Sequence, residues 1–323
     1  KRFKGGQTDN KEIFSRYRTW IIEEQKRNKI GNARNIRNAY NQLRKFHKKK
    51  ELFFNEVSLS WLRSFERWIV SKGSSPRTAG IYLQTLRTVF NDALHEGIIT
   101  KSPFGERGYS IPKSAGLPRA LKADELARFW HYETDNIQEQ EAQLYFKLIY
   151  LWSGINLHDL FALRWKDIQG ESLIFQRGKT KSKTNKVIQL PVNDEVRFIL
   201  RALSTTEKEK EYILPVYIGT KTDQERELKK RNKTSTLNKF LKRIGLKLGF
   251  SVPLTSYVAR HTYATLANRL GVPLSYIQDS LGHTNIKTTQ NYLDKFEDEK
   301  AKEFQNLLSP KRSEDHGERA TDE

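Results

Sequence analysis

"ARHTYATLANRLGVPLSYIQDSLGHTNIKTTQNYL", residues 259–293, decides how the rest of the chain is read. Its first part has the spacing of a helix that stops at Gly271, and "PLSYIQDSLG" reads as a second helix capped by Gly282. His283 follows, then a run of small polar residues, then Tyr292 nine positions beyond the histidine. A histidine and a phenol presented from one short segment invite a chemical explanation, and the rest of the composition narrows it.

At 323 residues the chain has room for two ordinary domains, each with its own core. Lysine and arginine number 58 against 38 acidic residues, a net charge of +20, which calls for a polyanionic partner. Nucleic acid is the default, with a membrane surface as the alternative. The mean hydropathy of -0.74 and the lack of any apolar run of about 18 residues speak against a membrane. The opening "KRFKGGQTDN" is no signal peptide. Without cysteine there is no disulfide framework and no thiolate zinc site, in keeping with a cytoplasmic protein, nucleoid-associated when active. Methionine is also missing, even at position 1, so we expect that Lys1 is not the natural start and that an N-terminal segment precedes it.

The first hundred residues predict four helices. Ile13, Tyr17, Trp20 and Ile21 share one face of residues 10–28; Ile36, Tyr40, Leu43 and Phe46 share one of 33–47; Trp61, Leu62, Phe65, Trp68 and Ile69 mark a third. In "SSPRTAGIYLQTLRTVFNDALHEG", Ser75 is the N-cap, Pro76 opens the first turn and Gly97 is the stop. Residues 26–50 carry ten Lys/Arg and no Asp or Glu, which suits either a solvated face or a phosphate-contacting helix. The Pro- and Gly-containing stretch 98–119 reads as a linker. Beyond it, "KADELARFW" and "QEAQLYFKLIYLW" predict helices. "ESLIF" and "KVIQLP" predict two strands joined by the cationic tip "QRGKTKSKTN", with "EYILPV" as a possible third strand. The basic stretch 221–243 offers no clear element boundaries, and the tail "SPKRSEDHGERATDE" has nothing to form a core with.

A basic protein of this kind could break a phosphodiester in several ways. The seven histidines are scattered and no Gly-x-x-x-x-Gly-Lys loop is present, so neither metal-dependent nor nucleotide-dependent hydrolysis is supported, and no metal or cofactor is expected. A side-chain nucleophile attacking phosphorus among neutralising cations remains. Tyrosine suits it, because a phosphotyrosine ester conserves the energy of the broken bond. A phenol titrates near 10 and must be activated by cations or a base. Arg260 could hold two phosphoryl oxygens in its fork, and Lys179 at the hairpin tip could protonate a leaving 5'-oxygen.

Arg-His-Thr-x-Ala-Thr, Leu-Gly-His, Thr-Thr and Tyr-Leu within residues 259–293 resemble the closing signature of the tyrosine recombinase (phage integrase) family. "SGINLHDLFALRWKDI" resembles the segment with that family's first arginine, and "RGKT" its lysine hairpin; the likeness covers roughly residues 8–308. It implies a mainly α fold with a small antiparallel sheet: a four-helix SAM-like core-binding domain over 1–105, a linker over 106–118, a mixed α/β catalytic domain over 119–308 and a disordered tail over 309–323. It also implies that Tyr292 is the nucleophile forming a 3'-phosphotyrosine, Arg260 the second clamp arginine, Lys179 the general acid, with Lys181 and Lys183 as nearby rivals, and His283 a donor to a non-bridging oxygen.

Two positions depart from the signature. Asn156 stands where the first arginine belongs, three residues before Asp159, and Tyr257 replaces a histidine three residues before Arg260. We read Arg177, two residues before Lys179, as the substitute cation; otherwise it touches only the DNA backbone. Tyr257 is either a hydrogen-bond donor in the site or a buried aromatic, His261 is structural, and Asp159 is a supporting partner or a helix cap. The combination resembles a branch of mobile-element integrases. The implied partners are double-stranded DNA recombination sites, a homo-tetramer on DNA built through the stripe Ala301, Phe304, Leu307 and Leu308, and accessory DNA-bending or directionality factors. An inactive DNA-binding or architectural protein and a type IB topoisomerase are the alternatives.

Overall fold

The computed structural model describes residues 11–105, 108–111, 120–178, 187–204 and 211–282. The expectations for Lys179, His283, Tyr292 and the stripe at 301–308 fall outside them. The chain forms two compact units, Lys1–Leu117 with Val216–Lys233, and Pro118–Pro215 with Thr234–Glu323. The break at 117/118 lies in the stretch read as a linker. Nothing in the sequence announces that 216–233 joins the first unit.

In the first unit the apolar stripes produce α1 (Ile13–Lys26), α2 (Ile30–His47), α3 (Leu59–Ser71) and α4 (Pro76–His95). Their buried faces meet in a core rich in aromatic rings, including Phe14, Tyr17, Phe65 and Phe90, with Phe46 packed edge-on against Trp61. Ser75 caps α4 by accepting from the Thr78 amide at 3.2 Å, with Pro76 in the first turn. The α1 cap is Glu12, whose buried carboxylate accepts from the amides of Phe14 at 2.7 Å and Leu52 at 3.1 Å, fastening the following loop to the helix start.

The second unit begins with α5 (Ala123–Trp130) and α6 (Ile137–Leu151), followed by the one-turn α7 (Leu157–Leu160). A three-stranded antiparallel sheet follows in the order β1 (Ile168–Gln169), β2 (Ser172–Gln176), β3 (Val187–Pro191). Leu173 pairs with Leu190 and Phe175 with Ile188, so one face of the hairpin is apolar and buried, as strand periodicity demands. Next come α8 (Asp194–Leu203), α9 (Asp223–Lys247), α10 (Ser256–Arg269) and α11 (Leu274–Ser280). α6 is the buried centre, packing on α8 and α10.

The expected strand "EYILPV" does not form. Ile213 and Leu214 are both buried, which breaks strand alternation, and Pro215 has no amide hydrogen to extend a ladder; Tyr212 makes only an isolated bridge to Arg164. The third strand is the two-residue β1 instead. The basic stretch at 221–243 proves to be most of α9. Its later turns bury Leu237, Leu241 and Ile244 at helical spacing. Its first turns have no apolar stripe, and within the first unit they are held by polar contacts, an ion pair of Arg34 with Glu227 at 3.2 Å and a hydrogen bond from the Asn28 amide to Asp223.

One buried acid ties α6 to α9 and to the loop before α6. Glu139 near the start of α6 is fully buried and receives Tyr132 Oη at 2.8 Å, Thr134 Oγ1 at 3.0 Å and Lys247 Nζ at 2.9 Å, with Arg243 Nε also at 2.9 Å. Burial alone would raise its pKa, but these hydrogen bonds and the Lys247 charge outweigh that and hold it below the ordinary 4.5. A carboxylate depressed on folding stabilises above its unfolded pKa, and that contribution is lost as pH falls through the folded value. Glu139→Gln should therefore lower stability at neutral pH by about 2–3 kcal/mol. In urea melts, the gap between the two proteins should close as the pH falls through the folded value of Glu139, which lies below the ordinary carboxylate value.

Candidate active site

Arg260 lies in the first turns of α10, whose N-cap Thr255 accepts from the Val258 amide at 3.4 Å. The side chain is 2 % exposed. Its Nη1 donates to the Gly154 carbonyl at 2.5 Å and its Nη2 to the Leu281 carbonyl at 2.8 Å, so one planar fork ties the turn after α6 to the turn after α11.

Glycine at 154 is a geometric requirement. Its φ is +72°, and a Cβ there would sit 2.9 Å from Arg260 Cγ and 3.1 Å from Leu281 Cδ2. Ser153 also has positive φ, at 51°, so the chain reverses sharply as α6 ends. That reversal turns the Gly154 carbonyl toward Arg260.

Arg177 arrives from another direction, one residue past the end of β2. Its Nη1 donates to the Gly282 carbonyl at 2.8 Å, and its Nε lies 3.6 Å from Asp159 Oδ2. Asp159, buried in α7, accepts the Gly178 amide on Oδ1 at 2.9 Å, so one carboxylate holds the main chain immediately before Lys179 and flanks the Arg177 side chain. A Cβ on Gly282, where φ is +64°, would meet Arg177 Cδ at 2.9 Å and Ile188 Cδ1 at 2.8 Å.

The two arginines thus donate to consecutive carbonyls, Leu281 and Gly282, directly before His283. Residues 21 and 105 positions away along the chain converge on one turn. Asn156 is the N-cap of α7, its Oδ1 accepting from the His158 amide at 2.9 Å. It carries no charge, but it starts the short helix that presents Asp159.

Tyr257 is one turn before Arg260 on α10 and 39 % exposed, which rules out the buried-aromatic reading. Its ring stands edge-on to His261 with centroids 4.6 Å apart. Farther along α10, the buried Thr262 accepts the Leu121 amide at 2.9 Å. Among the described residues, Arg177 and Arg260 meet at the 281–282 turn and Asp159 stands against Arg177, while Asn156 starts the helix that carries Asp159 and Tyr257 lies one turn before Arg260. Lys179, His283 and Tyr292 lie outside the described residues. Sequence reasoning missed the roles of Gly154 and of the turn carbonyls. The Ser-Gly pair at 153–154 is a turn signal, but which guanidinium a carbonyl will meet has no one-dimensional trace.

The phage integrase family model matches residues 119–299, and the phage integrase SAM-like domain model matches 13–111. The chain belongs to the phage integrase family. It is a tyrosine recombinase of the integrase type.

A tyrosine recombinase XerC-like protein of Caldanaerobacter subterraneus is 26% identical over 290 residues, covering 77% of this chain and 70% of the relative. The tyrosine recombinase XerA of Thermococcus kodakarensis is 31% identical over 225 residues, covering 68% of this chain and 71% of the relative. Among solved structures, the Tn1549 transposon integrase in complex with transposon right end DNA superposes with a TM-score of 0.67 at 15% identity, covering 92% of this chain and 99% of that one. At that identity the likeness is one of fold: helical SAM-like and catalytic parts with a small sheet, the mainly α class expected from the sequence.

The tight packing at residue 154 makes a direct check of the recombinase site's framework possible. Gly154→Ala must accommodate both positive φ and a close contact with Arg260, and should cost about 2–4 kcal/mol in a denaturant melt. Substitution at Gly170, where φ is +60° but no atom lies within 4 Å, should cost only about 1–2 kcal/mol.

Proposed function

We propose that this site-specific DNA recombinase cuts and rejoins duplex DNA through a 3'-phosphotyrosine on Tyr292, and that it integrates and excises a mobile element. The observation that carries the assignment of the site is the meeting of Arg177 and Arg260 at the carbonyls of residues 281 and 282. Two guanidiniums at one turn supply the paired positive charge that a pentacovalent phosphorus needs, and Arg177 takes the place of the arginine missing at 156.

In the step we propose, the Tyr292 oxygen attacks phosphorus and the bond from phosphorus to the 5'-oxygen breaks. The phenol proton leaves to solvent or a neighbouring base, and Lys179 gives a proton to the departing 5'-oxygen. Arg260, Arg177 and His283 hold the non-bridging oxygens, with Tyr257 as a further hydroxyl donor at the edge. Attack by a 5'-hydroxyl from the partner duplex reverses the step and releases the enzyme. No bond energy is lost, so the cycle calls for no nucleotide. Asp159 positions the lysine hairpin through the Gly178 amide. The assembly we propose is a homo-tetramer on two recombination sites, with accessory bending or directionality proteins deciding the direction.

Asn156 acting as a helix cap favours a second reading, a protein that binds DNA without cutting it. A nicked suicide duplex carrying the recombination site of its own element, incubated in the presence of EDTA and run on a denaturing gel, separates the two. Wild type should form a covalent protein–DNA adduct, while Tyr292→Phe should form none and still shift DNA on a native gel. A shift without an adduct in the wild type establishes the binding-only reading.

Arg177→Ala should slow adduct formation by about 100- to 1,000-fold, the usual cost of removing one preorganised donor from a developing oxyanion. Wild-type rates in that variant would exclude Arg177 as the substitute cation.

A further inference from the structure

α2 carries a surface that the core of the first unit does not explain. Ala33, Ile36, Ala39 and Leu43 form its buried face. On the opposite face, Asn38, Asn41 and Lys45 lie along one line at helical spacing, with Arg37 and Arg44 along one side of it and Lys48 just past the helix end, and all six are exposed. No acid occurs anywhere in residues 26–50.

Helix propensity does not explain this face. Asparagine is a weak helix former, yet it occupies positions 32, 35, 38 and 41 of an 18-residue helix. The other three helices of the bundle mix signs: α1 pairs Arg27 with Glu23, α3 exposes Arg63 and Arg67 beside Glu66, and α4 ends in Asp92 and Glu96. Among the four, α2 alone presents neutral amides beside charge of one sign.

That pattern fits the major groove of a duplex. An 18-residue helix is about 27 Å long and can lie in the groove. A side-chain amide pairs with adenine through two bonds, its oxygen accepting from N6–H and its nitrogen donating to N7. Lys45 within that line, and Arg37 and Arg44 along one side of it, can reach phosphates that border the groove.

We propose that α2 reads base sequence, with Asn38 and Asn41 as specificity-determining residues for adenine and with Arg37, Arg44, Lys45 and Lys48 holding flanking phosphates. The inference rests on the reading of the chain as a DNA recombinase and adds which residues choose the site.

The test is selection of the full chain on a randomised duplex library, compared with Asn38→Ala, Asn41→Ala and the double variant Arg44→Ala/Lys45→Ala. Alanine is the better helix former, so the asparagine variants should fold, and thermal melts confirm it. Each should lose preference at one A·T pair by about 5- to 150-fold, the range for one bidentate contact, with non-specific affinity unchanged. The double variant should bind every sequence more weakly, with a salt dependence shallower by about two units of slope. If the asparagine variants select the wild-type motif unaltered, or if wild type selects no motif, the proposal is overturned. The covalent-adduct assay, run in parallel, judges the recombination chemistry separately. An adduct with an unaltered motif sinks the α2 assignment alone, whereas an α2-dependent motif without an adduct sinks the cleavage reading alone.

Discussion

The second unit is organised around a single turn. The carbonyls of Leu281 and Gly282 accept from Arg260 and Arg177, and through those two side chains the turn is tied to the end of α6, to the end of β2 and to α10. A carbonyl orients a guanidinium without cancelling its charge, whereas a carboxylate in hydrogen-bonding contact would largely neutralise it. Asp159 gives its close contact, 2.9 Å, to a main-chain amide and makes a longer ion pair, 3.6 Å, with Arg177 Nε.

The glycines at 154 and 282 follow from the same constraint. Both have positive φ, and at both a methyl group would collide with one of the two arginines. Close approach of backbone to guanidinium is what makes these bonds short, and only a residue without Cβ permits it. Packing and chemistry make one demand here, so a change aimed at either disturbs both.

Acids are used differently in the two units, yet to similar effect. Glu12 satisfies orphan amides at a helix start, and Glu139 gathers a lysine, an arginine and two hydroxyls inside the second unit. Each of these carboxylates is buried or engaged inward.

Much of this was legible in one dimension. Helical periodicity located α1 to α6, and alternation located β2 and β3, because those elements bury one face and must repeat with the period of their geometry. The 259–293 signature identified the family, since its residues are spaced by the chemistry they serve. Two elements escaped. α9 has no apolar stripe in its first half, and "EYILPV" looked like a strand because its apolar run gives no sign that consecutive residues are both buried. By itself, then, the sequence determined the fold class, the family and a list of polar candidates for the site. Only the tertiary structure decided that Arg177 stands beside Arg260's turn while Asn156 merely starts a helix. Residues 105 positions apart along the chain have no local pattern to betray their contact, and that contact exists only once the hairpin and α11 have packed.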